Sequence, residues 1–137
     1  MSSYKVDAQS IVEEGAEIGE GTHICSHCFI ESGAIIGRNC TIKNGVQIWS
    51  GVIIGDNVFI GPGVNFTNDK YPASKKKFSL SPTVVEDNAS IGANSTILCG
   101  IMIGKDSIVG AGSVVVNDVA EKGVVYGTPA LHRRFKD

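Results

Sequence analysis

Residues 24–60 read ICSHCFIESGAIIGRNCTIKNGVQIWSGVIIGDNVFI, and isoleucine occupies every sixth position of this stretch. The same row extends in both directions as Val or Ile, from Val6 to Ile60 and again from Val85 to Val115. Six residues advance an α-helix by about 600°, so a helix would spread the row around its circumference. A pleated strand keeps one face at even spacings, so the row predicts short strands joined by tight turns.

A second row of residues falls four positions after each aliphatic residue, and its members are small or β-branched and uncharged. Glycine also returns every 18 residues, at Gly15, Gly33 and Gly51. Because glycine supplies the positive φ of a tight turn, this longer period predicts three different corners in each coil. The two rows together predict one domain over residues 1–137, a three-sided column whose coils stack about 4.8 Å apart.

The stretch FTNDKYPASKKKFS, residues 66–79, interrupts the repeat. The aliphatic row stops after Phe66 and resumes out of phase at Val85, which leaves room for about 13 extra residues. We therefore expect an external loop over about residues 67–84 that leaves one corner of a coil and returns to the same coil. Long loops in a compact repeat frequently carry binding sites, so this loop is the first candidate for function.

The composition limits the classes of function. The 137 residues carry a net charge of −2, and the charges are scattered along the chain, so no basic surface for nucleic acid is expected. The N-terminal residues MSSYKVDAQS lack the apolar segment of a secretion signal, and no long apolar run marks a membrane span. The expectation is a soluble cytoplasmic protein that binds neither nucleic acid nor membrane.

Cys25 and Cys28 form a C-x-x-C pair, which by itself is typical of a redox or zinc site. Cys28 falls on the inward row of small residues, whereas Cys25 follows the inward Ile24 and is expected to point outward. No second C-x-x-C accompanies the pair. We interpret the two residues as a buried thiol and a surface thiol that do not pair, and we expect no metal site.

The repeating unit is Ile or Val, followed in most repeats by Gly, Glu or Asp, with a small or β-branched residue four positions after the aliphatic. Over essentially the whole chain it resembles the left-handed parallel β-helix acyltransferases, and the segment GAGSVVVNDVAEKGVVYGTPA (Gly110–Ala130) resembles their characteristic end. The resemblance implies an all-β fold: a left-handed parallel β-helix of hexapeptide repeats with one external loop (about 67–84) and a short C-terminal tail.

The segment VFIGPGVNFTNDKYPASK, Val58–Lys75, is similar to the WxcM-like N-acetyltransferases of nucleotide-linked 3-amino sugars, where it opens the loop over the sugar. That similarity implies acetyl transfer from acetyl-CoA to an amino-sugar nucleotide, with a dTDP-3-amino-3,6-dideoxyhexose as the best guess. The pathway would be the synthesis of polysaccharide precursors such as the O-antigen of lipopolysaccharide. A sugar ketoisomerase, separate or fused, is an expected partner.

The family resemblance also implies a homotrimer with active sites between subunits. The outward residues Ile35, Ile53 and Phe59 agree with this, since they would leave apolar patches on a monomer. The loop would then reach toward a neighbouring subunit.

The resemblance places two loop residues, Asn68 and Asp69, at the reacting amine. The Asn68 amide would orient the amine by accepting a hydrogen bond from it, and Asp69 would accept its proton directly or through water. Asp69 also stands where other coils have the corner glycine, so turn formation is its alternative role. His27, near a corner, is the best histidine candidate for catalysis.

The remaining site residues also follow from the resemblance. Lys70, Tyr71 and Trp49 are assigned to the substrate, and the two aromatic rings would stack on thymine. Packing against a neighbouring subunit is the equal alternative for the outward Trp49. Acetyl-CoA would lie along the wall of the later coils, with its adenine near the proline turn and its phosphates near the arginines. Its expected contacts are Ala93, Gly110, Ala111, Thr128, Pro129, Arg133 and Arg134.

Three other functions remain open at this point. An O-acetyltransferase acting on another sugar or small molecule would need a histidine base from among His23, His27 and His132. A zinc lyase of the γ-carbonic-anhydrase type would need three converging histidines, and His132 in the tail is badly placed for that. A non-catalytic β-helix would favour an uninterrupted ladder of one residue type, whereas the outward columns here are mixed.

Overall fold

A computed structural model describes residues 3–72, 75, 77 and 80–137 of the chain. The strands stack into coils, and the successive strands of one coil belong to three different sheets, which we name A, B and C. Strands of neighbouring coils pair in parallel within each sheet. In chain order the strands are β1 (Lys5–Val6), β2 (Ile11–Val12), β3 (Glu17–Ile18), β4 (His23–Ile24), β5 (Phe29–Ile30), β6 (Ile35–Ile36), β7 (Thr41–Ile42), β8 (Gln47–Ile48), β9 (Val52–Ile54), β10 (Phe59–Ile60), β11 (Asn65–Phe66), β12 (Thr83–Val85), β13 (Ser90–Ile91), β14 (Thr96–Ile97), β15 (Met102–Ile103), β16 (Ile108–Val109), β17 (Val114–Val115), β18 (Gly123–Gly127) and β19 (Ala130–Phe135).

Coils 1 to 5 each consist of three consecutive strands, from β1–β3 to β13–β15. In coil 6, β16 and β17 are followed by Val119, which bridges Ile103 in the third sheet. Most neighbouring strands pair 18 residues apart, as in Ile24↔Ile42. No helix is found among the described residues, and none of them therefore forms a helix that could cross a membrane. The predicted left-handed parallel β-helix is confirmed.

The aliphatic row forms the core of the column, as predicted. Its members from Ile24 to Val115 are at most 2% exposed, and the small-residue row is buried beside them. Coil 1 differs, since Val6 is 37% exposed. Within the described residues coil 1 has a neighbouring coil on one side only, so its inward side chains are not covered from both sides.

The corners have the backbone conformation that the 18-residue period predicts. Gly33 has a φ of 94°, and a Cβ at this position would overlap the Ser50 side chain of the next coil. At another corner Asn57 and Asn88 adopt the left-handed region with φ of 58° and 63°. Asparagine tolerates this region better than most residues, which explains its recurrence at that corner.

Two boundaries differ from the sequence prediction. The external loop ends at residue 82 instead of 84, because Thr83 and Val84 already belong to β12, where they pair with Val52 and Ile53 of β9. We call residues 67–82 the insertion; residues 73, 74, 76, 78 and 79 within it lie outside the described set. The C-terminal tail contains a strand, β19, which pairs antiparallel with β18 and covers the last coil.

The prediction that Cys25 is a surface thiol is wrong. Cys25 is only 6% exposed, and it lies outside the core cluster that contains Cys28. The side chains of Asp7 and His23 surround its sulfur on the outer side of sheet A, which explains an outward but covered thiol. Both cysteines are free, as expected.

Candidate functional site

The insertion leaves sheet B after Phe66 and is tied to the coils at that point. The indole Nε1–H of Trp49, one coil away, donates to the Phe66 carbonyl oxygen over 2.7 Å. Thr67 Oγ1 donates to the Ile97 carbonyl at 3.2 Å and accepts the Cys99 N–H at 2.9 Å. The first residues of the insertion are therefore fixed by the coils on both sides of coil 4.

The insertion returns to sheet C beside a glycine corner. The Thr83 N–H donates to the Gly51 carbonyl at 3.0 Å, and Thr83 Oγ1 accepts the Gly100 N–H at 3.2 Å. Leu80 lies against Gly51, where an added Cβ would be 3.0 Å from the leucine side chain. A larger residue at Gly51 would displace the end of the insertion.

The two predicted catalytic loop residues, Asn68 and Asp69, lie next to this anchored start and are half-buried. Asp69 Oδ1 accepts the Tyr71 N–H at 3.1 Å, so the carboxylate organises a turn inside the insertion. Lys70 and Tyr71 are exposed, and the Lys70 ammonium lies 5.7 Å from the centre of the Tyr71 ring. The four residues form a polar segment that projects from the corner between sheets B and C.

Trp49, predicted to stack on the base of the substrate, is half-buried and makes contacts within the protein through both its ring and its N–H. Its ring centre lies 5.5 Å from that of Phe29, at an interplanar angle of 47°, and its N–H is bonded to Phe66. The structural role of anchoring the insertion was missed by the sequence reasoning. The position of Trp49 one coil before Phe66 in the repeat, at the same corner, is the signal that could have revealed it.

The predicted acetyl-CoA contacts Ala93, Gly110 and Ala111 lie along one edge of the column, between sheets A and B. The Gly112 N–H donates to the Ala93 carbonyl at 2.7 Å, which places the corners of coils 5 and 6 one above the other. A Cβ on Gly112 would meet nothing within 4 Å. We name this edge, from Ala93 to the corner Gly110–Gly112, the open strip, because its residues carry at most a methyl group. An extended ligand can follow such a surface.

The hairpin of β18 and β19 continues this edge. Tyr126 lies against Gly110, and the Gly127 N–H donates to Ser113 Oγ at 3.3 Å. The Arg133 guanidinium stacks 4.5 Å from the centre of the Tyr126 ring and donates to the Tyr126 carbonyl at 3.0 and 3.2 Å. Tyr126, missed by the sequence reasoning, therefore holds Arg133 at the end of the strip.

The remaining cofactor candidates lie on the same hairpin. Thr128 and Pro129 form its exposed turn, next to Arg133. Arg134 is adjacent to Arg133 in β19, where the register of the pairing with β18 shifts. The structure therefore brings Arg133 to the strip but gives Arg134 no comparable contact with it among the described hydrogen bonds.

The three histidines lie apart from the insertion. His27 is exposed, has a φ of 63°, and lies on the corner between sheets A and B. It is in coil 2 and Ala93 in coil 5, so about 14 Å of stacked coils separate them. His23 Nε2 is hydrogen-bonded to Asp7 Oδ1 at 2.9 Å, and the His132 ring packs 4.5 Å from that of Phe135.

Sheet B connects the two candidate elements. The insertion leaves one of its long edges and the open strip follows the other, so the outer face of sheet B lies between them. The outward residues Gln47, Asn65 and Thr96 stack in register on this face, and their polar side chains offer hydrogen bonds to a ligand. The arrangement can bind a polar substrate at one edge and an extended one at the other.

Comparisons with known proteins agree with this architecture. The family model described as hexapeptide repeat of succinyl-transferase matches residues 8–49 and 82–116, and bacterial transferase hexapeptide (six repeats) matches residues 33–68. A 2,3,4,5-tetrahydropyridine-2,6-dicarboxylate N-acetyltransferase of Clostridium perfringens is 58% identical over 52 residues, which are 38% of this chain and 22% of that protein. The chain thus spans less than a quarter of that relative.

Two solved structures share the fold over nearly the whole chain. PerB from Caulobacter crescentus, in complex with CoA and GDP-perosamine, has a TM-score of 0.83 at 24% identity, covering 97% of this chain and 58% of PerB. AntD, an N-acyltransferase from Bacillus cereus in complex with dTDP and 3-hydroxybutyryl-CoA, has a TM-score of 0.86 at 17% identity, covering 96% and 79%. Because the matched hexapeptide repeats cover more than half of the chain, this chain belongs to the hexapeptide-repeat transferase family.

Proposed function

We propose that this protein is an acetyl-CoA-dependent N-acetyltransferase that acts on a nucleotide-linked amino sugar, with a dTDP-3-amino-3,6-dideoxyhexose as the preferred candidate. The pathway proposed for the product is the synthesis of polysaccharide or O-antigen precursors. The observation that carries the proposal is the anchored segment Phe66–Tyr71, which presents an amide and a carboxylate at one edge of sheet B. PerB, solved with CoA and GDP-perosamine, and AntD, solved with dTDP and 3-hydroxybutyryl-CoA, share the fold.

The residues at this edge suit acyl transfer to an amine. Asn68 would accept a hydrogen bond from the sugar amine and hold it in the direction of attack. Asp69 uses Oδ1 for the Tyr71 N–H, and its second oxygen would accept the amine proton directly or through water. Lys70 and Tyr71 are free to contact the diphosphate and the base of the substrate.

The open strip suits the second substrate. Acetyl-CoA supplies an activated acyl group whose thioester needs little further activation by the protein. The small corner residues Ala93 and Ala111 would line its extended arm, and Arg133, held by Tyr126, would meet a phosphate. Thr128 and Pro129, at the exposed hairpin turn, are the proposed neighbours of the adenine.

We infer that the site is completed by a neighbouring subunit in a homotrimer. Four apolar residues stack in register on the outer face of sheet C, where Ile35, Ile53 and Met102 are exposed and Val84 is half-buried. Such a ladder is an exposed apolar surface of the kind that subunit interfaces cover. Native mass spectrometry would show a threefold mass, and a monomer at micromolar concentration would contradict the inference.

The proposed activity is tested with the purified chain and acetyl-CoA against dTDP-, UDP- and GDP-linked amino sugars. Release of free thiol and a product heavier by one acetyl group are expected with one nucleotide class. The same nucleotides carrying a hydroxyl in place of the amine form the matched control, and acetylation of these would indicate an O-acetyltransferase instead. If none of the amino sugars in the panel is acetylated, the proposal is contradicted.

A further inference from the structure

Three side chains with metal-binding atoms meet on the outer side of sheet A, away from the proposed acyl-transfer site. Asp7 and Cys25 are neighbours across the pairing of β1 with β4, since Val6 lies opposite Ile24. A carboxylate oxygen of Asp7, a ring nitrogen of His23 and the sulfur of Cys25 all lie within 4.8 Å of one another. Asp7 Oδ1 and His23 Nε2 are already 2.9 Å apart.

The three atoms are those that a zinc-class ion prefers. Carboxylate oxygen, imidazole nitrogen and thiolate sulfur are its common ligands, and bonds of about 2.0–2.3 Å place tetrahedral ligands about 3.3–3.7 Å apart. The distances of 2.9 Å and up to 4.8 Å in the cluster bracket this range. The side chains of Asp7 and His23 are 30% and 38% exposed, so both can shift slightly and an ion can enter from solvent.

The neighbouring groups leave this cluster available. Cys28 is turned to the core, where its sulfur donates to the Lys43 carbonyl at 3.0 Å, so the C-x-x-C pair does not act as a unit. The cation Lys5 lies beside the cluster, with Nζ 3.9 Å from Asp7 Oδ1, and its side chain is 72% exposed and can move into solvent. The hydrogen bond between Asp7 and His23 accounts for two of the three residues but not for the covered, outward thiol of Cys25.

We propose that Asp7, His23 and Cys25 bind a divalent transition-metal ion, with Zn²⁺ as the best match, and that the ion clamps coil 1 to coil 2. Binding releases the thiol proton of Cys25 to solvent, and the ion replaces the proton that His23 Nε2 shares with Asp7, so that the neutral imidazole carries its proton on Nδ1. One coordination position is left for water. The location fits a structural role, because coil 1 is the least covered coil and its inward Val6 is 37% exposed. The site is independent of the proposed acyl transfer.

The site is tested on the full chain after treatment with a chelator, with Co²⁺ alone and then Zn²⁺ alone as probes. We expect one Co²⁺ per chain, a thiolate-to-cobalt charge-transfer absorption, visible bands of four-coordinate cobalt, and displacement by one equivalent of Zn²⁺. Cys25→Ser should abolish the charge-transfer absorption. Cys99→Ser, which removes another buried thiol far from the cluster in sequence, should keep it.

A second measurement does not depend on the cysteine variant being folded. Zn²⁺ should raise the midpoint of thermal unfolding of the chain, and Asp7→Asn and His23→Gln should each remove most of that rise. Amide hydrogen exchange should slow in coil 1 on addition of Zn²⁺ and stay unchanged in coil 5. Absence of stoichiometric Co²⁺ binding, a cobalt spectrum without thiolate absorption, or an unchanged spectrum in Cys25→Ser would each overturn the proposal.

Discussion

An Asn-Asp pair occurs twice at the corner between sheets B and C, once with the insertion and once without it. In coil 4 Asn68 and Asp69 follow the inward Phe66, and in coil 6 Asn117 and Asp118 follow the inward Val115 at the same spacing. Asp118 Oδ1 accepts the Met102 N–H of the coil beside it at 2.8 Å, so its carboxylate ties two coils together.

Asp69 makes a different contact. Its Oδ1 accepts the Tyr71 N–H inside the insertion, and among the described hydrogen bonds it makes none to a neighbouring coil. The two aspartates lie at equivalent corners but have different roles. Asp118 holds two stacked coils together, and Asp69 stabilises the local turn of the insertion. A substitution of Asp118 should affect stability, and the same substitution of Asp69 should affect activity.

The largest difference is expected between Asn68→Ala and Asn117→Ala. Asn68→Ala should lower turnover by about 100-fold, because the sugar amine loses the group that orients it. Asn117→Ala should keep turnover within a factor of two, and both variants should keep the wild-type melting temperature. Steady-state kinetics with the nucleotide sugar and thermal unfolding give the comparison. Equal turnover in the two variants would show that the insertion corner is not the catalytic one.

Exchanging each carboxylate for an amide should separate the two roles of aspartate. Asp69→Asn keeps the acceptor for Tyr71 but cannot take up a proton, so we expect turnover to fall about 10-fold with little change in stability. Asp118→Asn weakens a charge-assisted hydrogen bond and should lower the free energy of unfolding by about 0.5–1 kcal/mol with turnover unchanged. Urea unfolding and kinetics on both variants test the pair, and loss of activity only in Asp118→Asn would reverse the assignment.

The column was predictable from the sequence because its contacts repeat. Each inward residue lies against the equivalent residue one coil away, as Ile24 lies opposite Ile42, so packing imposes the same residue type every 18 positions. The residues that anchor the insertion do not repeat. The bond from Trp49 to the Phe66 carbonyl crosses 17 residues and occurs at one corner, so the repeat indicates that the two residues are neighbours but not that they are bonded.

The candidate site was predictable in part, and for the same reason. The segment Asn68–Tyr71 was predicted as a candidate because it breaks the repeat and resembles a known motif. Tyr126 and its contact with Arg133 were not found, because they depend on the antiparallel pairing of β18 with β19, which the six-residue period does not encode. Local pairing across a hairpin replaces stacking at this end of the column.

Trp49→Phe should loosen the insertion without disturbing the coils. The variant keeps an aromatic ring beside Phe29 but leaves the Phe66 carbonyl without its donor, which costs about 1 kcal/mol of local stability. Hydrogen exchange should become faster in residues 67–71 and stay unchanged in coil 6. Phe29→Leu is the matched control, because it removes the ring contact and retains the hydrogen bond. Unchanged exchange in Trp49→Phe would show that the hydrogen bond does not hold the insertion.

The smallest expected effect concerns a coil-to-coil contact made by a thiol. Cys40 Sγ–H donates to the Gly55 carbonyl at 3.0 Å, and burial raises the pKa of this thiol above its ordinary value of 9.0. Because the unfolded chain loses the proton at lower pH, the contribution of the thiol to stability is complete below pH 9 and disappears as the pH rises toward the folded pKa.

Cys40→Val removes the titrating group and places at this position the residue found at 46, 52, 58 and 64 of the same row. Between pH 8 and 9.5 the wild-type free energy of unfolding should fall more than that of the variant, by less than about 1 kcal/mol. Urea unfolding at the two pH values measures this difference, and other titrating groups cancel because both chains carry them. A parallel pH dependence in the two chains would mean that water reaches the thiol between coils 2 and 3, and that the stacked corners are less tightly closed than the hydrogen bonds indicate.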